Sequence, residues 1–158
     1  MSDSTSNIPL YVIDASVAAK WLLPDEPEAD LPVAILTEFR EGRTALVAPS
    51  QIRYEVPSAI RNAFRTNRLT QQAGRAAISK FLSWLVPTVD DAMLIEAGYV
   101  QAVRFGCSFD DGLYLALAEN LDRPFVFADQ RLRNGLGTSF PRALWLSDYV
   151  PYDRPTPG

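Results

Sequence analysis

Four acidic residues stand where their side chains could do chemistry together. Asp14 directly follows the apolar run Leu10–Ile13, and Asp129 follows the run Phe125–Ala128 in the same way. Apolar runs without polar alternation are typical of strands that are buried on both faces of a parallel sheet. Ligands of such sheets bind just beyond the carboxyl ends of the strands. We therefore expect Asp14 and Asp129 to meet at one edge of the sheet, close to Asp111 at a helix N-terminus.

The fourth acid, Glu55, lies on the side of a predicted helix that faces the core. It stands three residues after Ile52 and four before Ala59, both of which belong to the apolar stripe of that helix. A buried charge without a partner is expensive, so a glutamate at this position needs a reason. An orientation of the Glu55 side chain toward the cleft that holds the aspartates would explain its position.

The absence of histidine limits the chemistry that these acids can serve. The chain has no His and a single Cys107, which excludes histidine bases, His-containing triads, internal disulfides and multi-cysteine zinc sites. Two carboxylates about 5 Å apart repel by roughly 3 kcal/mol at an effective dielectric near 20, so such a group calls for a cation. An oxygen-only site favours a hard metal ion: Mg²⁺, Mn²⁺ or Ca²⁺. Such an ion would activate water and stabilise charge on a phosphoryl oxygen.

Each acid also has a purely structural interpretation, and these alternatives stay open on the sequence alone. Asp14 could cap the first helix, and Asp129 could form a plain turn after its strand. Glu55 could reach the surface. Asp110 and Asp111 share one helix N-terminus, where one of them could be a cap.

Composition favours one compact α/β domain. The chain has 158 residues, of which 47% are hydrophobic, and we expect a single domain over residues 8–147 with flexible tails at 1–7 and 148–158. No apolar run is long enough for a membrane span and residues 1–7 do not resemble a signal peptide, so we expect a cytoplasmic protein. The net charge of −4 argues mildly against nucleic acid, although all but two of the 15 basic residues are Arg.

Short buried strands alternate with helices along the chain, which indicates a parallel sheet. Ser50 is a candidate N-cap of the helix that carries Glu55; Pro57 predicts either a kink in it or a start later than Ser50. Asp90 and Asp91 are interpreted as capping residues of a helix that ends at Gly106. The predicted helices cover about 16–23, 31–41, 50–64, 69–85, 90–105 and 108–118, and the remaining strands lie near 44–48, 86–89 and 143–146.

Four motifs in order resemble the PIN-domain family, and more narrowly its VapC-type toxin ribonucleases. The motifs are Val12–Val17, Ala48–Val56, Asp111 with Tyr114–Ala118, and Ala128–Leu132, and together they span about residues 10–135. The resemblance implies a PIN-like three-layer α/β/α sandwich with a short central parallel sheet. It also implies an Mg²⁺- or Mn²⁺-dependent endoribonuclease, usually a homodimer, that is inhibited by a cognate VapB-type antitoxin.

Carried over position by position, the resemblance makes Asp14, Glu55, Asp111 and Asp129 the catalytic quartet, with Asp14, Asp111 and Asp129 on the metal. Ser16 would support the site through its hydroxyl. The family's third acid precedes the helical Tyr by three residues, which selects Asp111 and leaves Asp110 a supporting role.

Two departures from the family pattern stand out. Asp110 replaces the aromatic residue that often precedes the third acid, and Phe127 replaces the Thr or Ser that often stands two residues before the fourth. The second change removes a hydroxyl that could orient Asp129.

Three other functions compete with the ribonuclease. A catalytically silent PIN-like interaction domain is the nearest alternative, because metal binding does not require activity. A haloacid-dehalogenase-like phosphatase also begins with a strand that ends in Asp, but it needs an acid where this chain has Ser16. A response-regulator receiver needs an early acidic pair and a lysine after a late strand, and the only lysines are Lys20 and Lys80.

Overall fold

The computed structural model describes residues 8–23, 25–27 and 29–152. Its centre is a sheet of five parallel strands in the order β3-β2-β1-β4-β5. The strands are β1 (Leu10–Ile13), β2 (Ala45–Pro49), β3 (Thr88–Val89), β4 (Phe125–Phe127) and β5 (Ala143–Trp145). Helices flank this short sheet, and the predicted α/β class is confirmed.

The helices lie close to their predicted ranges. They are α1 (Ala15–Ala18), α2 (Asp30–Arg40), α3 (Ile52–Arg65), α4 (Gln71–Ser83), α5 (Ile95–Phe105), α6 (Phe109–Leu121) and α7 (Gln130–Leu136), with 3₁₀ turns at Ala19–Trp21, Asp91–Leu94 and Leu146–Asp148. The helix predicted over residues 16–23 is thus half α-helix and half 3₁₀ turn. As expected from its apolar sequence, α6 is central, and every residue from 112 to 118 is buried.

The middle of the sheet is formed by strands from opposite ends of the chain. Strand β1 pairs with β2 on one side and with β4 on the other, and Val12 and Ile13 are fully buried between them. The backbone N–H of Asp14 donates to the carbonyl of Val126 at 3.0 Å and continues the pairing past the end of β1. Right-handed crossovers place both strand ends at the same edge. Residues that are more than 100 positions apart therefore become neighbours.

Two glycines allow α5 and α6 to pack closely. A Cβ atom added to Gly112 would lie 2.2 Å from the carbonyl oxygen of Gly98, and one added to Gly98 would lie 2.7 Å from a Leu113 methyl carbon. Gly112 therefore has no room for a side chain, and a side chain at Gly98 would collide with Leu113. This contact fixes the α6 turn that holds Asp111.

Two capping predictions are wrong. Ser50 does not cap α3: the helix begins at Ile52, slightly later than predicted, and it still contains Pro57 in its interior. The Ser50 hydroxyl instead accepts from the backbone N–H of Asp91 at 3.2 Å. In return, the Asp91 carboxylate accepts from the N–H of Gln51 at 3.2 Å, while Asp90 caps the 3₁₀ turn alone. The reciprocal pair exists because the β2–α3 and β3–α5 loops lie side by side.

The fold continues past the expected boundary at residue 147. Tyr149 is only 2% exposed, and its hydroxyl donates to the buried carboxylate of Glu38 on α2. The backbone N–H of Tyr152 donates to the other oxygen of Glu38 at 2.6 Å. The predicted tail over 148–158 is therefore wrong for residues 148–152, whereas residues 1–7 and 153–158 lie outside the described residues.

Within the described ranges, no helix has both the length and the apolar character needed to cross a membrane.

Candidate functional site

Acidic side chains from helices α3 and α6 and from the ends of strands β1 and β4 come together at one cleft. The cleft has a volume of about 500 Å³ and is lined by Glu55, Gly106, Cys107, Ser108, Asp110, Asp111, Asp129, Arg131, Leu132 and Gly135. Asp14 is 5% exposed and interacts electrostatically with Asp111 and Asp129. The structure thus brings together all four acids that the sequence singled out.

Asp14 is oriented by Ser16, the second residue of α1. The Ser16 hydroxyl donates a short hydrogen bond to Oδ2 of Asp14, and the Ser16 backbone N–H approaches the same oxygen at 3.3 Å. The same hydroxyl accepts from the N–H of Ala128 at 3.0 Å, which ties the end of β4 to the end of β1. Asp14 is therefore the N-cap of α1, as the structural interpretation of this residue predicted. Its other carboxylate oxygen, Oδ1, accepts no hydrogen bond from the described residues.

The partial burial of Glu55 is explained by a hydrogen bond from a buried tyrosine. It is half-buried on α3, and its Oε1 accepts a hydrogen bond of 3.1 Å from the hydroxyl of Tyr114, whose side chain is fully buried in α6. This contact excludes the interpretation of Glu55 as a surface residue. It also leaves Oε2 without a protein donor among the described residues.

Asp111 and Asp110 differ in exposure and in partners. Neither is the N-cap of α6, because Ser108 takes that role by accepting from the N–H of Asp111 at 3.0 Å. Asp111 is half-buried in the cleft, whereas Asp110 is exposed at its rim. The carbonyl of Asp110 accepts from the side-chain amide of Gln51 at 2.8 Å, which holds the start of α6 against the start of α3.

Asp129 caps α7 with one oxygen. Its Oδ1 accepts from the backbone N–H groups of Arg131 at 2.9 Å and Leu132 at 3.3 Å. These two bonds orient the carboxylate although the chain lacks the hydroxyl that the family often has at position 127. Phe127 is instead buried in the core, stacked on Phe125 with ring centroids 5.2 Å apart.

Burial and repulsion from neighbouring carboxylates raise the pKa of three acids at the site, Asp14, Glu55 and Asp111. The pKa of Asp14 is raised to about 7, chiefly by burial and also by the carboxylates of Asp111 and Asp129, against the opposing hydrogen bonds from Ser16. Burial also raises the pKa of Glu55 to about 8, with contributions from Asp14 and Asp110. The pKa of Asp111 is raised by burial first and then by its acidic neighbours. A cation in the cleft would reverse both the desolvation cost and the repulsion.

The donor set fits a hard divalent metal. The cleft offers carboxylate oxygens and no imidazole. Asp14 and Asp129 each use one oxygen for hydrogen bonds within the protein, and no donor among the described residues reaches the other oxygen. In the described part of the chain, no three acidic or cysteine side chains are already arranged to hold one metal ion between them. Binding would therefore require the side chains of Asp14, Asp111 and Asp129 to adjust.

Sequence reasoning missed two residues of the site. Gln51 joins α3 to α6 through a backbone carbonyl, a contact for which no local pattern gives a signal. Arg131 lines the cleft two residues after Asp129, is exposed, and makes no ion pair within the described ranges. The available signal was that two arginines, Arg131 and Arg133, closely follow Asp129 in the sequence.

The chain is similar to two curated proteins of Mycobacterium tuberculosis. It is 30% identical to ribonuclease VapC12 over 128 residues, which cover 81% of this chain and 93% of that protein. It is 34% identical to ribonuclease VapC1 over 87 residues, which cover 54% of this chain and only 63% of VapC1. No family model matches the chain.

A solved structure supports the same relationship at the level of the fold. The crystal structure of PAE2754 from Pyrobaculum aerophilum superposes with a TM-score of 0.64 over 88% of this chain and 85% of that one, at 24% sequence identity. Because the identity is low, this likeness concerns the fold alone. The match over nearly all of VapC12 at 30% identity shows that the chain belongs to the VapC family of PIN-domain proteins.

Proposed function

We propose that this protein is an endoribonuclease, the toxin of a type II toxin–antitoxin pair, and that it hydrolyses RNA phosphodiester bonds with Mg²⁺ or Mn²⁺. The observation that carries the proposal is that Glu55, Asp111 and Asp129 line one cleft, with the buried Asp14 close enough to interact electrostatically with Asp111 and Asp129. The relatives named as ribonucleases support the choice of RNA as the substrate.

The residues divide into three roles. Asp14, Asp111 and Asp129 would hold the metal, which when bound supplies charge stabilisation at the scissile phosphate and a more acidic water. Glu55 accepts the proton of the attacking water at Oε2, since Tyr114 occupies its Oε1. Arg131, which makes no ion pair within the described ranges, lies close enough to the cleft to neutralise the phosphate.

A paired substitution at the start of α6 tests this proposal. We expect the wild-type protein to cleave RNA in Mn²⁺ and not in EDTA. Asp111→Asn should lower the cleavage rate by roughly 100-fold or more, because it removes a ligand charge from the cleft. Asp110→Asn is the matched control and should keep most of the activity, because that side chain lies at the exposed rim.

Two results would contradict the proposal. A wild-type protein that binds Mn²⁺ without cleaving RNA would be the silent interaction domain. Full activity in Asp111→Asn, or loss in Asp110→Asn alone, would mean that the wrong acid has been assigned to the metal.

We further propose a VapB-type antitoxin, a homodimer and a cytoplasmic location. The support for a dimer within this chain is an apolar stripe on α5, where Ile95, Tyr99 and Val103 recur every four residues and are 53%, 64% and 65% exposed. Light scattering is expected to give twice the monomer mass, and Tyr99→Asp should shift it toward the monomer. A wild-type protein that stays monomeric at high concentration would contradict the dimer.

A further inference from the structure

A continuous groove leads from the carboxylate cleft along the exposed side of α3. Glu55 and Asp110 line the cleft and also a neighbouring hollow of about 530 Å³, which adds Gln51, Tyr54 and Ser58. Tyr54 and Ser58 in turn line a further hollow of about 670 Å³. We name these two hollows the α3 groove; its outer part is lined by Arg53, Tyr54, Pro57, Ser58, Arg61 and Asn62.

Tyr54 is the most conspicuous side chain of the α3 groove. It is 76% exposed, although a tyrosine that serves the core would be buried as Tyr114 is. It lies next to Glu55 in sequence and lines both hollows, so its ring stands between the carboxylate cleft and the outer part of the groove. An exposed aromatic ring beside a reaction site is a surface on which a nucleic-acid base can stack.

Two arginines accompany Tyr54. Arg53 and Arg61 are both exposed on the outer part of the groove, and neither takes part in an ion pair among the described residues. Arg68 on the loop after α3, in contrast, is bound to Asp25 and Glu26. Proteins that bind single-stranded nucleic acids combine such features: arginines neutralise the phosphates and an exposed aromatic ring stacks on a base.

We propose that the α3 groove binds the nucleotides next to the scissile phosphate, with one base stacked on Tyr54 and the adjoining phosphates neutralised by Arg53 and Arg61. This inference rests on the proposed ribonuclease function and extends it, because it names the residues that position the substrate. Residues 55 and 61 are about 9 Å apart along the helix axis, so the groove leads directly away from the reacting bond. A base inside a duplex is stacked on both faces by its neighbours and cannot stack on Tyr54, so the subsite is specific for single-stranded RNA.

An RNA strand fits the α3 groove better than a protein segment does. An amphipathic partner helix needs an apolar row at a spacing of three and four residues. The outer part of the groove offers only Tyr54 and Pro57 as largely apolar side chains, among Arg53, Arg61 and polar neighbours. The chemistry of the lining therefore favours a ligand with stacked rings and negative charge.

Equilibrium binding separates this subsite from the cleavage reaction. The probe is a fluorescently labelled single-stranded RNA of about 12 nucleotides, long enough to cover the groove, with EDTA present to prevent cleavage. Tyr54→Ala should weaken binding roughly 5- to 50-fold, the loss expected for one stacked base, and Tyr54→Phe should restore it. Phe64→Ala is the matched control, because Phe64 is an exposed ring on the same helix outside the groove.

The arginines and the strandedness of the RNA give independent readouts. Arg53→Gln and Arg61→Gln should each lower the dependence of log K on log salt by about 0.7, whereas Tyr54→Ala should leave that slope unchanged. Binding of a duplex of the same sequence should not respond to Tyr54→Ala.

The outcomes distinguish this inference from the proposed function. If the wild-type protein binds RNA through Tyr54 but does not cleave it in Mn²⁺, the ribonuclease proposal fails and the subsite stands. If the protein cleaves RNA while Tyr54→Ala and Phe64→Ala bind it equally well, the subsite is overturned and the groove is left to a protein partner.

Discussion

The carboxylates of Asp14 and Asp129 each combine a structural role, the capping of a helix, with an oxygen that is available to a ligand. One oxygen of each accepts backbone or hydroxyl hydrogen bonds that begin a helix, and the other oxygen is left for a ligand. The structural and the functional interpretations of these residues are therefore compatible. This arrangement stiffens the carboxylates, because a capping bond fixes the side-chain rotamer that a metal ligand needs.

The raised pKa of Asp14 predicts how stability depends on pH. Its value of about 7 in the folded protein lies above the ordinary value of 3.8, so the folded state keeps a proton that the unfolded state loses in between. Stability must then fall as pH rises from about 4 to 7, and Glu55 extends the window to about 8. In EDTA, Asp14→Asn should flatten this dependence and raise the free energy of unfolding at pH 8 by roughly 2 kcal/mol.

Chemical denaturation at pH 5 and pH 8 measures both effects. Asp148→Asn, at an exposed 3₁₀ turn, is the control and should retain the wild-type dependence. An Asp14→Asn variant that is less stable than wild type at pH 8 in EDTA would show that the carboxylate is not under strain.

How well single residues could be predicted depends on the distance of their partners in the sequence. Asp14 and Asp129 were found because an acid directly after an apolar strand is a local pattern. The capping predictions for Ser50 and Asp91 are wrong because each side chain accepts a hydrogen bond from a loop 40 or 41 residues away instead of from its own helix. A capping side chain accepts a hydrogen bond from the nearest unsatisfied N–H in space, and the sequence does not reveal which N–H that is.

At the scale of elements, the α5–α6 contact positions the third acid. Gly98 and Gly112 meet where any side chain would collide, and Asp111 directly precedes Gly112. The sequence predicted both helices and the glycine end of α5 at Gly106, where the backbone is left-handed. It did not predict the close approach, since a glycine inside a helix gives no indication of its neighbour.

Gly112→Ala should therefore destabilise the protein. The added Cβ would lie 2.2 Å from the Gly98 carbonyl oxygen, so the helices must separate, at a cost of about 2 kcal/mol or more. Gly135→Ala on α7 is the matched control, because its Cβ would make an ordinary contact at 3.4 Å and alanine favours a helix. Thermal melts that show equal midpoints for the two variants would contradict the close packing.

At the scale of the whole molecule, the sheet order assembles the site. Because β1 lies between β2 and β4, the cleft is lined by residues from Glu55 to Gly135 with Asp14 buried nearby, and it forms only when both halves of the chain have folded. The C-terminal segment then closes the other side of the core: Tyr149 packs edge-on against Tyr11 of β1 with ring centroids 5.4 Å apart. The sequence did not predict this contact, because the proline-rich composition after residue 150 is typical of a flexible tail.

A pair of truncations tests the role of that segment. A chain that ends at Ser147 loses Tyr149 and leaves the buried carboxylate of Glu38 without its two donors. We expect it to be less stable than a chain that ends at Tyr152 by about 3 kcal/mol, the usual cost of deleting a buried aromatic side chain. Equal denaturation midpoints for the two chains would show that residues 148–152 do not stabilise the fold.

Metal binding should stabilise the whole fold, because the acids that strain the cleft belong to elements from both ends of the chain. A ligand that binds only the folded state adds RT ln(1 + [L]/Kd), or about 1.4 kcal/mol at ten times Kd. For a protein of this size, that corresponds to a rise in Tm of roughly 3–6 °C. We expect Mn²⁺ to produce this rise in wild type and in Asp110→Asn, and to have much less effect in Asp129→Asn, whose side chain still caps α7 but has lost its charge. A calorimetric melt of the wild type that does not move across millimolar Mn²⁺ would rule out the carboxylate metal site.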